Sequence, residues 1–214
     1  MSQKKDSVQI ILKFPTNCLS DKFAALKLSP QLLRAIDEMG FDQMTPIQAA
    51  SIPPLIAGKD IIGQSKTGSG KTAAFVIPIL QRIKVSDLVP QGLILCPTRE
   101  LCEQVLGECK KLSKYLPKLK SLSLIGGQAY PPQEKALLEG RTLEHLKSGK
   151  LNLKKLKFLV LDEADRLLEE GFAEELGSIL NLLPKQRQTI FFSATFPPQI
   201  EELSRKHQNR AEKI

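Results

Sequence analysis

The sequence predicts an α/β domain built on a mostly parallel sheet with helices on both faces, and three observations carry that prediction. Short apolar runs alternate with amphipathic stretches along much of the 214 residues, the pattern of chained βαβ units. One run, Asp60-Ile61-Ile62-Gly63, leads into the small-residue loop Ser65-Lys66-Thr67-Gly68-Ser69-Gly70-Lys71-Thr72 and then into the apolar helix start Ala73-Ala74-Phe75-Val76-Ile77. Another, Leu156-Lys157-Phe158-Leu159-Val160-Leu161, ends in Asp162-Glu163-Ala164-Asp165. In parallel sheets the loops that follow the strands gather along one edge, so the two polar segments are expected to be neighbours.

Taken in order, residues 1–22 show no period and read as an extension to a domain of residues 23–214. A helix follows, with Ser29 as cap, Pro30 in the first turn, Leu32, Leu33, Ile36 and Met39 as the buried stripe, and Gly40 as the stop. A second helix opens at Thr45-Pro46-Ile47-Gln48, where Thr45 and Gln48 stand at the three-residue offset of a capping box. Beyond the loop at 65–72 come a strand at 92–96, a helix from about 99 to 116, and strands at 119–125, 156–161 and 188–192, with amphipathic helices between and after the last two.

Composition narrows the field. The chain is 42% apolar and 25% charged, ordinary proportions for a domain with a core and unlike those of fibres or disordered tails. A formal charge of +8, from 31 Lys and Arg against 23 Asp and Glu, suits a polyanionic partner as well as plain solubility. Cys18, Cys96, Cys102 and Cys109 lack metal-ligand spacing, and His145 and His207 have no ligand partners close in sequence. The four thiols read as small buried hydrophobes of a reducing, cytoplasmic compartment. The run at 8–14 is too short and interrupted for a signal peptide, and no stretch approaches the roughly 18 apolar residues of a membrane span.

The loop at 65–72 has the chemistry of a phosphate site. Gly68 and Gly70 permit backbone torsions and a closeness of approach that side chains forbid, so successive N–H groups converge on an anion. Lys71 would reach terminal phosphates, Thr72 would offer its hydroxyl to Mg²⁺, and the helix that begins there adds the positive end of its dipole. Ser65 stands where the usual pattern has glycine. Asp162 would hold Mg²⁺ from the side opposite Thr72, and Glu163 would orient and deprotonate an attacking water. An acidic cluster alone is usually a solvated helix start. Paired with the phosphate loop in one alternating pattern, it becomes the second half of a nucleoside triphosphatase site.

With Pro97-Thr98-Arg99-Glu100-Leu101, Gly126-Gly127 and Ser193-Ala194-Thr195 in the same order, the chain resembles the DEAD-box family of ATP-dependent RNA helicases from about Phe23 onward. The resemblance implies a RecA-like P-loop domain, ATP and Mg²⁺ as cofactors, and RNA as partner. It implies that Phe41 stacks on adenine and that Gln48 takes the base's amino and ring nitrogens, a geometry by which glutamine reads adenine generally. One amide only partly serves both that role and the capping box. By the same resemblance Ser193 and Thr195 hydrogen-bond Asp165 and link hydrolysis to strand separation, while Pro97, Thr98, Arg99, Gly126, Gly127 and Arg141 bind the RNA backbone without reading its sequence. The lysines at 147, 150, 154, 155 and 157 form a basic stretch that reads as a solvated face. The loop and Leu95-Cys96-Pro97-Thr98-Arg99 are similar to those of bacterial members that act on ribosomal RNA. Productive unwinding is the leading activity, with an ATP-gated RNA clamp and a DNA-directed motor as alternatives separated by strand displacement and by RNA–DNA competition.

The chain departs from the family in two places. Between Gly140 and Arg141 the family carries an apolar strand and Thr-Pro-Gly, and a direct link there would unpair neighbouring strands at about 1–3 kcal/mol per buried group. The physical protein is therefore expected to contain that segment. Family members also continue into a second RecA-like lobe that brings arginine fingers, worth roughly 10³–10⁵ in turnover in related triphosphatases. The residues in hand are expected to bind nucleotide weakly and hydrolyse little.

Overall fold

A computed structural model describes residues 22–87, 89–117, 119–121, 123, 152–169 and 172–214. After a single 3₁₀ turn at Phe23–Leu26, the described elements are α1 (Pro30–Glu38), α2 (Pro46–Ile56), β1 (Ile61–Gln64), α3 (Lys71–Arg82), β2 (Gly92–Leu95) and α4 (Arg99–Leu112). They continue with β3 (Phe158–Leu161), α5 (Ala164–Glu169), α6 (Ala173–Leu182), β4 (Gln188–Ser193), α7 (Pro198–His207) and β5 (Glu212–Lys213). The described strands form one sheet in the order β2-β3-β4-β1-β5, and every pairing is parallel. The expected fold class is the observed one.

Strand alternation builds two cores. Ile61, Phe158, Val160, Ile190 and Phe192 point to one face, where they pack with α1 to α4 around Leu32, Ile52, Leu55, Phe75 and Ile77. Ile62, Leu159, Leu161 and Phe191 point to the other, against Leu167, Leu176, Ile179, Leu180 and Ile200 of α5 to α7. A strand buried on both faces reads as a continuous apolar run, and β3 and β4 are buried at every position. The rings of Phe75 and Phe192 sit 5.8 Å apart between centroids and join α3 to the sheet.

Several boundaries differ from expectation. In α1 the buried positions are Leu32, Ala35 and Ile36; Leu33 and Met39 are half-buried, because Met39 already closes the helix as its C-cap. Helix α4 ends at Leu112 rather than near 116, with Ser113 as cap; beyond it Lys114 N–H and Leu116 N–H bond only three residues back, to Lys111 O and Ser113 O. Strand β3 begins at Phe158, not Leu156, because Lys157 N–H and Phe158 N–H both turn to Gln91 O. Strand β5 was not foreseen: its sequence is too polar to read as a strand, and it forms because Glu212 and Lys213 pair with β1. The strand expected over 119–125 falls largely outside the described residues, as do Gly126, Gly127, Arg141, the basic positions 147 and 150, and nearly all of the extension at 1–22.

Side chains tie the amino ends of the strands together. Asp60 Oδ1 accepts from Thr189 N–H at 2.8 Å and its Oδ2 accepts from Asn209 N–H at 2.7 Å. Gln188 Nε2 donates to Leu55 O and Lys59 O, and Gln208 Nε2 donates to Ile61 O and Thr189 O. Burial nevertheless pushes the Asp60 carboxyl above its ordinary value, the two N–H donors offsetting only part of the effect.

Two glycine substitutions separate packing from helix propensity. A Cβ at Gly63 would lie 2.6 Å from Phe192 Cε1, and Gly63→Ala is expected to lower stability by about 1–3 kcal/mol. A Cβ at Gly107, inside α4, meets nothing within 4 Å, and Gly107→Ala is expected to raise stability by about 0.5–1 kcal/mol. Urea unfolding midpoints of the two variants should move in opposite directions.

Candidate functional site

The carboxyl ends of β1, β3 and β4 converge as the parallel order requires. After β1 the chain enters the loop at 65–72, where Gly68 at φ 81° and Gly70 at φ 88° take left-handed torsions that residues with a Cβ avoid. Gly70 is doubly constrained, because a Cβ there would fall 2.6 Å from Gln48 Nε2. Ser65 Oγ and Ser69 Oγ close the loop at 2.6 Å, so the serine in place of the usual glycine acts as a brace. Helix α3 then starts at Lys71 and brings Thr72 into its first turn.

Lys71 is the hub. Its Nζ lies 2.9 Å from Asp162 Oδ1 and 3.2 Å from Glu163 Oε1, with only 4% of the lysine side chain exposed. Thr67 Oγ1 donates to the same Glu163 Oε1 at 2.9 Å. The second oxygen of the buried Asp162, Oδ2, has no hydrogen-bond partner among the described residues. Burial pushes the Asp162 carboxyl above its ordinary value against the opposing pull of the Lys71 ammonium. For Glu163 the balance runs the other way: burial raises it, but the Thr67 hydroxyl, the Lys71 ammonium and the Arg166 guanidinium outweigh burial and hold it below the usual range. Glu163 also takes a left-handed φ of 51°, a torsion costing on the order of 1–3 kcal/mol in a residue with a side chain.

The third carboxylate faces the tail of β4. Asp165 Oδ2 accepts from Thr195 N–H at 2.9 Å and from Thr195 Oγ1 at 2.8 Å, and Asp165 N–H donates to Ser193 Oγ at 3.2 Å. Burial raises this carboxyl too, yet the hydroxyl and N–H of Thr195, followed by Ser193 and Arg166 N–H, hold it below its ordinary value. The phosphate loop joins the same tail through Ser65 N–H to Ser193 O at 3.0 Å and Gln64 Nε2 to Ala194 O at 3.1 Å.

Other candidates are placed less centrally. Gln48, buried at the start of α2, accepts from Thr45 N–H at 2.9 Å through Oε1 and donates from Nε2 to Gly70 O at 3.1 Å. Both ends of its amide are thus engaged, one in the capping box and one on the phosphate loop. Phe41 is half-buried beside Phe23, the ring centroids 6.3 Å apart. Thr98 Oγ1 caps α4 by accepting from Leu101 N–H at 3.2 Å, which leaves Arg99 exposed at the helix start beside Pro97. Two residues escaped the sequence reading: Gln64, and Arg166, whose guanidinium lies 3.4 Å from Glu163 Oε2. The three-residue spacing of Arg166 from Glu163 was the available signal.

These residues fit a nucleoside triphosphate and its divalent cation. The orphaned Asp162 Oδ2 faces no donor, a state that a buried carboxylate oxygen rarely keeps without a cation or water to meet it. The Thr72 hydroxyl lies in the first turn of α3, whose N-terminus favours negative charge.

Comparison with known proteins agrees with this geometry. The DEAD/DEAH box helicase family model matches residues 45–203. ATP-dependent RNA helicase DbpA of Escherichia coli is 45% identical over 186 residues, which are 83% of this chain and 41% of DbpA. A DEAD box protein from the hyperthermophile Methanococcus jannaschii superposes with a TM-score of 0.79 at 38% identity, covering 90% of this chain and 55% of that one. The structure of S. cerevisiae Dbp5 bound to RNA and ADP BeF3 superposes with a TM-score of 0.81 at 32% identity, over 91% of this chain and 52% of Dbp5. The chain therefore spans about half or less of each of these proteins.

The Asp165 contacts make a signed pH prediction. A carboxyl held low when folded contributes stability that is present above its unfolded value and is lost as pH falls through the folded one. Thr195→Val, which removes the hydroxyl donor, is expected to lower stability by about 1.5–3 kcal/mol at pH 7. Urea unfolding along a pH series should show the difference shrinking as pH falls from the ordinary aspartate value of about 3.9 through the lower folded one, below which Asp165 is protonated in both states.

Proposed function

Because the chain belongs to the DEAD/DEAH box helicase family, we propose that it is the nucleotide-binding lobe of a cytoplasmic ATP-dependent RNA helicase that couples ATP hydrolysis to local strand separation or remodelling of RNA–protein assemblies, ribosomal precursors among them. The observation that carries the reading is the bridge from Lys71 to Asp162 and Glu163 beneath a glycine-rich loop. Lys71 is free to trade one carboxylate for a phosphate, since it holds two. The loop N–H groups from Lys66 to Thr72 bind the phosphate oxygens, while Ser65 N–H stays on Ser193 O. The Thr72 hydroxyl and Asp162 would hold Mg²⁺, which supplies charge neutralisation for phosphoryl transfer.

Glu163, ionised at neutral pH because its carboxyl is held low, accepts a hydrogen bond from the attacking water and orients it; the transfer needs little covalent help beyond that positioning. Gln48 and Phe41 bind adenine. In that role Gln48 Nε2 exchanges Gly70 O for the base. Asp165, Ser193 and Thr195 relay the state of the phosphate loop to the RNA face, where Pro97, Thr98 and Arg99, with Gly126, Gly127 and Arg141, contact the sugar–phosphate backbone.

Calorimetric titration tests the assignment. The chain is expected to take up ATP only with Mg²⁺ present, and Lys71→Ala is expected to weaken uptake at least tenfold. Gln48→Ala is expected to abolish a preference for ATP over GTP worth about 1–3 kcal/mol. Absence of magnesium-dependent uptake by a folded chain would overturn the reading. An ATP preference unchanged in the Gln48 variant would return that residue to a purely structural role.

A further inference from the structure

The edge of the sheet opposite the nucleotide site carries charge that hydrolysis does not use. Because the strands are parallel, their amino ends share one edge, and each of four neighbouring strands is preceded there by cations. Lys154, Lys155 and Lys157 lead into β3, Lys185 and Arg187 into β4, Lys59 into β1 and Arg210 into β5. Between them lies a groove of about 620 Å³ whose wall includes Lys59, Arg82, Lys157, Arg187 and Arg210.

The acids on this wall are already engaged. Asp60 is held by two backbone N–H groups and Glu212 by Lys59 at 2.5 Å. Lys154, Lys155, Lys185, Arg187 and Arg210 make no ion pair among the described residues. Arg187 Nε is buried with no acceptor, although Arg187 Nη1 donates to Pro184 O at 2.6 Å. The excess charge is felt nearby: burial, then the charges of Arg187 and Lys206, hold the His207 imidazole below its usual value.

We propose that this amino-terminal edge is a second RNA contact, which grips the phosphodiester backbone on the side of the lobe away from the nucleotide. The proposal rests on the RNA reading above. The groove combines guanidinium forks with the exposed amides of Gln186 and Asn209, the mixture that binds phosphate and sugar oxygens. It offers no exposed aromatic platform for bases, so contact is to backbone and indifferent to sequence. An apolar anchor of the kind protein interfaces rely on is also missing from the wall: the large exposed apolar side chains among the described residues, Phe172 and Leu182, are not part of it.

The test is the salt dependence of binding to a labelled 30-nucleotide single-stranded RNA, measured by anisotropy on the 214-residue chain. The variant Lys154→Gln/Lys155→Gln/Lys185→Gln/Arg210→Asn neutralises four exposed positions. Asparagine is chosen at 210 because Arg210 has a left-handed φ of 48°, which Asn tolerates. Each lost phosphate contact flattens the slope of log K against log salt by about 0.7 for single strands. The variant is expected to bind at least tenfold more weakly at low salt, with a slope shallower by up to about 3 and an unchanged urea midpoint. The single substitutions Lys155→Glu and Lys185→Glu, read in the same way, keep the test decisive should the fourfold variant fold poorly.

Equal affinity and slope for the variant and the parent would overturn the proposal and leave the helicase reading intact, the more so if Arg99→Gln weakens the same RNA. Failure of the parent to bind RNA would sink both. Retention of RNA together with lost binding of poly-glutamate would reassign the edge to an acidic protein partner and likewise overturn the proposal.

Discussion

Placing β4 between β1 and β3 is the constraint from which the rest of the site follows. Two strand spacings of about 4.8 Å separate the loop after β1 from the acids after β3, too far for backbone contact and within reach of one lysine side chain. Lys71 spans the gap, and the tail of the middle strand fills it: Ser193 O accepts from Ser65 on one side while Ser193 Oγ accepts from Asp165 N–H on the other. Three segments separated by about 30 to 130 residues of sequence are thus held in one hydrogen-bonded row by topology.

Stability does not explain what is buried there. A buried ion pair is seldom better than apolar packing of the same volume, because desolvation consumes most of the Coulombic gain. Here the site adds an orphaned carboxylate oxygen on Asp162 and a left-handed backbone at Glu163. Both features persist because β3 and β4, apolar on both faces, leave the chain no other route at their ends. The same enclosure sets two neighbouring carboxyls apart. Asp162, fully buried, is pushed up, while Glu163, with three donors, is held down. The unpartnered Oδ2 of Asp162 suits a cation, and Glu163, kept ionised, can accept a hydrogen bond from a water.

Much of this was legible in the residues. Glycines at 68 and 70, an apolar strand before them and a lysine after them have few other structural uses, so the loop declared itself, as did the acids closing the apolar run Phe158-Leu159-Val160-Leu161. Less legible were features decided across space. Gln48 showed its capping offset to Thr45 but gave no hint that its amide reaches Gly70 22 residues away. Gln64 looked like the polar end of a strand, and only the register that pairs it with Ser193 reveals why it meets Ala194 O. Strand β5 is invisible in a polar sequence because β1, not its own composition, creates it.

A parallel sheet also gives a domain two chemically distinct rims, and this one uses the difference. The carboxyl rim gathers acids around a single lysine, whereas the amino rim gathers cations around carboxylates that backbone N–H groups and Lys59 already occupy. Strands β1 to β4, four to six residues long, hold the rims roughly 13–20 Å apart, beyond a Debye length of about 8 Å at physiological salt. Solvent-exposed charge on one rim is therefore largely screened from the other. Gln188, Gln208 and Asp60 fix the amino rim by side-chain bonds to backbone, so its cations ride on strand starts at regular lateral spacing. A polyanion laid across it meets a preorganised row, which reduces the ordering that binding would otherwise require.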